Sequence, residues 1–166
     1  MRALRIAIVA AMSLVATSAW AVKPVLDAEK HVAVVAVGIQ SAEENAKALF
    51  TMADRSETFG ANHATLLFKN LGDALDQAQA HLNHLPPLAV GGYSDARVPL
   101  STAKSYLQDA KNIVSQIQGV GQSSGLTPER VRSAVKFIYR DLEAARKSFE
   151  KSAHDFGLSP SFMTPG

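Results

Sequence analysis

The sequence predicts an all-α fold: a four-helix bundle with up-down-up-down topology, preceded by an N-terminal signal peptide. Four stretches of the chain repeat apolar residues every three or four positions, and clusters of glycine and proline separate these stretches. Amphipathic helices with one apolar stripe each are stable only when they pack together, which favours a bundle. The chain has no cysteine, which excludes disulfides, thiolate metal sites and covalent c-type haem.

The first 21 residues have the three parts of a secretory signal. Arg2 and Arg5 form a basic start, residues 6–19 are apolar and small, and Ala19-Trp20-Ala21 fits an A-x-A cleavage site. The apolar run is shorter than the roughly 20 residues that a membrane span needs. We therefore expect cleavage before Val22, export to the periplasm or otherwise secretion, and no transmembrane span in the mature chain.

Loss of this signal makes the charge of the chain balanced. The full sequence has 17 basic and 15 acidic residues, and removal of Arg2 and Arg5 leaves 15 of each. A balanced charge gives no electrostatic footprint for nucleic acid, so we expect no nucleic-acid partner. The mature part, about 145 residues, is long enough to bury a hydrophobic core without disulfides.

The first two helical segments cover residues 24–58 and 62–85. In the first, residues 32–37 are apolar on every face, which predicts the most buried part of the bundle. Gly60 and Asn62 separate the segments and are expected to act as a C′ glycine and an N-cap. The apolar stripes consist of Val32, Val35, Ile39, Ala42, Ala46, Leu49 and Ala53, and then of Leu67, Leu71, Ala74, Leu75, Ala78, Leu82 and Leu85.

The connection at residues 86–98 begins with two prolines, which cannot continue a helix. The third segment follows at residues 99–118, and Gly119 and Gly121 are expected to stop it. The connection permits a direct return to an antiparallel neighbour. A crossover along the bundle also fits its length, because an extended chain covers about 3.3 Å per residue.

The fourth segment has the clearest ends. Thr127 is expected to be its N-cap, and Gly157 with Leu158 is expected to form a Schellman stop. The residues that follow predict a flexible tail. The sequence thus divides into a signal peptide at 1–21, a bundle domain at 22–158 and a tail at 159–166.

Four of the five histidines are expected at one end of an up-down-up-down bundle. His31 lies near the start of the first segment, His81 and His84 near the end of the second, and His154 near the end of the fourth. Only His63 falls at the opposite end. Bundles build metal sites from side chains on facing helices, and imidazole suits Cu²⁺, Zn²⁺ and Ni²⁺. These four residues are therefore candidate metal ligands.

The same histidines also fit an ordinary surface role. Asp27 with His31 and Glu150 with His154 are i,i+4 pairs of a kind common on exposed helix faces. A protonated histidine near a helix C-terminus also complements the helix dipole. The Glu-x-x-His pattern of di-iron bundles is absent from the sequence.

The sequence contains no catalytic constellation and no cofactor motif, so we expect a protein that is not an enzyme. The first hypothesis is an exported helical-bundle protein of the cell envelope with a non-enzymatic binding or structural role and a protein or small-ligand partner. The alternative is a periplasmic Cu-, Zn- or Ni-binding protein that uses the histidines at one end. The pattern does not decide whether Phe137, Tyr139 and Phe156 are buried.

Overall fold

The computed structural model describes the backbone of residues 2–55 and 59–160, and the side chains of residues 27–55, 59–121 and 125–160. The described residues form four α-helices: α1 (Arg2–Asp54), α2 (Ala61–Leu82), α3 (Arg97–Ser124) and α4 (Pro128–Asp155). The residues described include no strand, which confirms the all-α prediction.

No helix in the described part of the chain is both long and apolar enough to cross a membrane. The side chains of the predicted signal, residues 1–21, lie outside the described residues, as do residues 161–166 of the predicted tail. Both assignments remain predictions.

The four helices form a closed ring. α1 packs against α2 and α4, and α3 packs against the same two helices. On α2 and α3, residue numbers rise on one helix as they fall on the other: Asp76 pairs with Lys111, and Gln79 with Gln108. These two helices are therefore antiparallel, and the connection between them is the direct return rather than the crossover.

Charged side chains fix the register of α1 against α4. Arg146 Nε lies 3.2 Å from Glu43 Oε1, but its N–H does not point at the oxygen, so the contact is ionic without being a hydrogen bond. Arg132 Nη2 donates to the carbonyl of Ala53 at 2.9 Å and lies 3.5 Å from Asp54 Oδ1. A side chain of the fourth helix thus satisfies a carbonyl in the last turn of the first.

The boundary between α1 and α2 differs from the prediction. α1 ends at Asp54, before the expected end at residue 58. Gly60 is the N-cap of α2, with φ −103° and ψ 101°, and is not a C′ glycine of α1. Helical bonding begins at its carbonyl, which accepts from the N–H of Ala64 at 2.9 Å. Asn62 consequently lies inside the first turn and is not the N-cap.

The predicted limits of α3 are also wrong. The helix starts at Arg97 and continues through Gly119 and Gly121 to Ser124, beyond the expected end at residue 118. Leu126 packs over Gly121, with its Cγ and a Cδ atom 3.3 Å from where a Cβ would stand. The glycine here provides room for a core leucine and does not interrupt the helix.

Both predicted caps of α4 are confirmed. Thr127 Oγ1 accepts from the N–H of Arg130 at 3.4 Å. At the other end, Gly157 has φ +73°, and the N–H of Leu158 donates to the carbonyl of Ala153 at 2.9 Å. This bond and the one from Gly157 to His154, at 2.8 Å, form the Schellman motif.

The core lies along the bundle axis, but residues 32–37 are not buried on every face as expected. Val32, Val35 and Ala36 are buried, whereas Val37 is 62% exposed. Each residue of a helix is rotated by about 100° from the one before it. Some side chains in a run of six residues must therefore face the solvent. On α4, Phe137 and Tyr139 are 47% and 45% exposed.

Small residues let α1 and α2 approach closely. A Cβ on Gly38 would lie 2.9 Å from Ala78 Cβ and 3.1 Å from the carbonyl oxygen of Ala74. His31 lies about two turns before Gly38 on α1, and His81 lies about one turn after Ala78 on α2. The close approach therefore helps to set the distance between these two histidines.

The connection from α2 to α3 folds as two short 3₁₀ turns, Pro86–Leu88 and Gly91–Ala96. Arg97 Nε donates to the carbonyl of Ala89 at 2.7 Å and ties the two turns together. The ring of Tyr93 packs against that of Phe156, with centroids 5.8 Å apart and Phe156 buried. The connection thus covers one end of the core.

Candidate metal centre

Three of the four candidate histidines meet where α1 packs against the end of α2. His31 lies on α1, His81 lies in the last turn of α2, and His84 lies in the turn that follows. Leu82 and Leu85 are both buried and three residues apart, which fixes the rotation of this turn. His81 and His84 each precede one of these leucines, so both project from the same side of the turn.

The three imidazole rings are in direct contact. His31 Nδ1 lies 3.1 Å from His81 Nδ1, a hydrogen bond in which one ring donates and the other accepts. The ring of His84 stacks on that of His31, with centroids 4.8 Å apart and 21° between the planes. The centroids of His81 and His84 are 6.4 Å apart. We call this group, His31, His81 and His84, the histidine cluster.

The cluster disfavours positive charge on His31. Burial lowers the pKa of His31 below its ordinary value of 6.5, and the nearby imidazoles of His84 and His81 lower it further. Lys30 acts in the same direction, whereas Asp27 raises the pKa. Because the lowering effects prevail, folding favours the neutral form of His31, the form in which imidazole nitrogen binds a metal.

His154 does not join the cluster. Its side chain is 90% exposed, and its charged neighbour is Asp155, at 4.0 Å. Ala153 is fully buried, and the next residue along a helix is rotated by about 100°, so His154 turns away from the core. The negative charge of Glu150, which the sequence pairs with His154, raises the pKa of the Glu43 carboxyl on α1.

The cluster as it stands does not form a complete metal site. Among the described residues, no group of three or more His, Asp or Glu side chains is arranged to hold a metal ion. The Nδ1 atoms of His31 and His81 face each other, but His84 is stacked on His31 and does not present a nitrogen to the same point. His84 is exposed.

A second concave feature is a groove of about 360 Å³ between α1 and α4, which the sequence does not predict. It is lined by Lys47, Phe50, Val135, Lys136 and Tyr139. The spacing of Lys47 to Phe50 and of Lys136 to Tyr139 places a lysine and an aromatic residue on one face of each helix. This repeated spacing is visible in the sequence, but the gap between the helices is not.

Comparison with known proteins finds no matching family model, no similar curated protein and no similar solved structure.

Proposed function

We propose that this chain is an exported, non-enzymatic protein of the cell envelope that binds Cu²⁺, Zn²⁺ or Ni²⁺ through the histidine cluster. The signal predicted at residues 1–21 supports export. The observation that carries the metal proposal is the distance of 3.1 Å between His31 Nδ1 and His81 Nδ1, on two different helices. His31 and His81 are the primary ligands, and His84 is the third.

This nitrogen–nitrogen distance suits two ligands of one metal ion. With metal–nitrogen bonds of 2.0–2.1 Å, adjacent nitrogens lie about 2.9 Å apart in square-planar geometry and about 3.3 Å apart in tetrahedral geometry. The pair in this protein, at 3.1 Å, falls between these values. A metal ion bound to both Nδ1 atoms would require the donating ring to carry its proton on Nε2 instead. Each ring would also have to turn by about 35–45°, so that its lone pair points at the ion and not at the other nitrogen.

The third ligand requires a larger change. Rotation of His84 away from its stack on His31 brings a further imidazole to a site that otherwise has two protein ligands. Water molecules complete the coordination of an ion held by three side chains, as in open zinc sites. His84 is exposed, so its rotation displaces no core residue.

The test is calorimetric titration of the untagged, exported protein with Cu²⁺, Zn²⁺ and Ni²⁺ at pH 7 and again at pH 5. We expect one metal ion per chain and binding that fades at pH 5, because protons compete for the imidazole nitrogens. His31→Gln and His81→Gln should each lower the affinity about tenfold or more, which is about 1.4 kcal/mol or more. His84→Gln should lower it less.

Two histidines outside the cluster provide matched controls. His154→Gln changes an exposed histidine at the same end of the bundle, and His63→Gln changes one at the opposite end. Both should leave the affinity unchanged. No saturable binding of any of the three ions, or equal losses in the cluster variants and the controls, would overturn the proposal. Circular dichroism of each variant separates lost ligation from lost folding.

A further inference from the structure

The groove between α1 and α4 has the dimensions and the lining of a small ligand site. Its volume of about 360 Å³ lies at the lower end of the range for pockets that bind small molecules. Val135 is buried at its floor, while Phe50 and Tyr139 are each 45% exposed at its sides. Two aromatic rings at a concave surface leave apolar area accessible to an apolar group.

The charged side chains that line this groove are both cationic. Lys47 on α1 and Lys136 on α4 both line it, and no acidic residue does. Among the described residues, neither ammonium group forms an ion pair, whereas Lys69, Lys111 and Lys147 each pair with a carboxylate. The groove therefore combines an apolar interior with two cations to which the described residues give no ion-pair partner.

We infer that this groove binds a free amphipathic carboxylate, such as a medium-chain fatty acid. The apolar chain packs against Phe50, Val135 and Tyr139, and the carboxylate lies between Lys47 and Lys136. The groove is a concave gap between two helices, which fits a single chain better than a flat membrane surface. It lies 16 residues along α1 from His31, about 24 Å, so the inference is independent of the metal proposal.

The first experiment compares octanoate with octanol by titration of the full chain, followed by calorimetry or NMR. The two probes share an apolar chain and differ in charge. Octanoate should bind more tightly, and its binding should weaken as salt is added, because salt screens exposed charges. In the series from hexanoate to decanoate, each added CH₂ that enters the groove should raise the affinity about fourfold.

Side-chain variants then separate the two parts of the site. Lys47→Gln and Lys136→Gln should each weaken octanoate binding about two- to fivefold, because each removes one exposed charge pair. Neither variant should change octanol binding. Phe50→Ala should weaken both probes, because it removes apolar contact. Lys104→Gln is the matched control: Lys104 is an exposed lysine on α3, away from the groove. It should have no effect on either probe.

Three results would overturn the inference. The first is octanol binding as tight as octanoate binding. The second is an equal loss in Lys104→Gln and Lys47→Gln. The third is evidence that something else occupies the groove. Co-sedimentation of the protein with phosphatidylglycerol vesicles, without octanoate binding, would indicate a membrane surface. A dimer in sedimentation analysis that Phe50→Ala dissociates would indicate a second copy of the chain. Binding of octanoate with the expected pattern of losses supports the inference whether or not the protein binds metal.

Discussion

Replacement of Gly38 by alanine tests whether the close approach of α1 and α2 is required for stability. The new Cβ would lie 2.9 Å from Ala78 Cβ and 3.1 Å from the carbonyl oxygen of Ala74. Carbon atoms pack best at 3.5–4.0 Å. The two helices must therefore move apart by about 0.5–1 Å at this point, or the side chain cannot be accommodated.

The cost follows from two opposing contributions. Overfilling a well-packed interface typically destabilises a protein by about 1–3 kcal/mol. Alanine is favoured over glycine inside a helix by about 0.5–1 kcal/mol, which offsets part of that cost. We expect Gly38→Ala to lower the free energy of unfolding by about 1–2 kcal/mol, measured by urea denaturation and followed by circular dichroism.

Gly72 is a matched control on α2. A Cβ at Gly72 would lie 3.6 Å from Val114 Cγ1, which is ordinary van der Waals contact. Gly72→Ala should consequently raise the free energy of unfolding by about 0.5–1 kcal/mol. The double variant Gly38→Ala with Ala78→Gly removes the clashing methyl group and should recover part of the lost stability. If Gly38→Ala proves as stabilising as Gly72→Ala, the tight contact described above does not exist.

Two further predictions concern α4 and its partner. Burial raises the pKa of Glu43 above 4.5; Arg146 lowers it, while Glu150 and Glu143 raise it. Folding thus favours the protonated form of Glu43. The contribution of this carboxyl to the free energy of unfolding is fully present below pH 4.5, and it is lost as the pH rises through the raised pKa. The free energy of unfolding of Glu43→Gln, measured by urea denaturation, should accordingly increase relative to that of the wild type from pH 4 to pH 7. A difference between the two proteins that does not change with pH would contradict this account. Thr127→Ala removes the side-chain N-cap of α4 and should lower the free energy of unfolding by about 1 kcal/mol, measured by thermal denaturation. An unchanged stability would show that the cap is not needed.

Features encoded by neighbouring residues could be predicted from the sequence. The caps at Thr127 and Gly157 depend on contacts within five residues, and both are where the sequence indicates. The helices themselves follow from apolar periodicity. The end of α3 could not be predicted in this way, because Gly121 lies inside the helix and leaves room for Leu126, which comes from the next connection. A glycine that makes room for a neighbour has the same local sequence as one that ends a helix.

The candidate site could be predicted only in part, because a linear pattern does not contain every tertiary contact. The order and length of the segments place His31, His81, His84 and His154 at one end of the bundle. The position of a residue along a helix axis does not specify which side of the helix its side chain projects from. His154 projects outward, although the preceding residue, Ala153, is buried. The apolar stripe of α4 contains that directional information. The groove between α1 and α4 could not be predicted, since it is a gap that exists only after the helices pack.

The hydrogen bond from Arg132 to the carbonyl of Ala53 has a consequence for the order of folding. The two residues are 79 positions apart, so a ribosome that adds roughly 5–20 residues per second needs about 4–16 s to travel between them. During that interval the last turn of α1 lacks its partner from α4. The end of the first helix is completed only when the last helix docks, and amide hydrogen exchange at this turn should report closure of the whole ring.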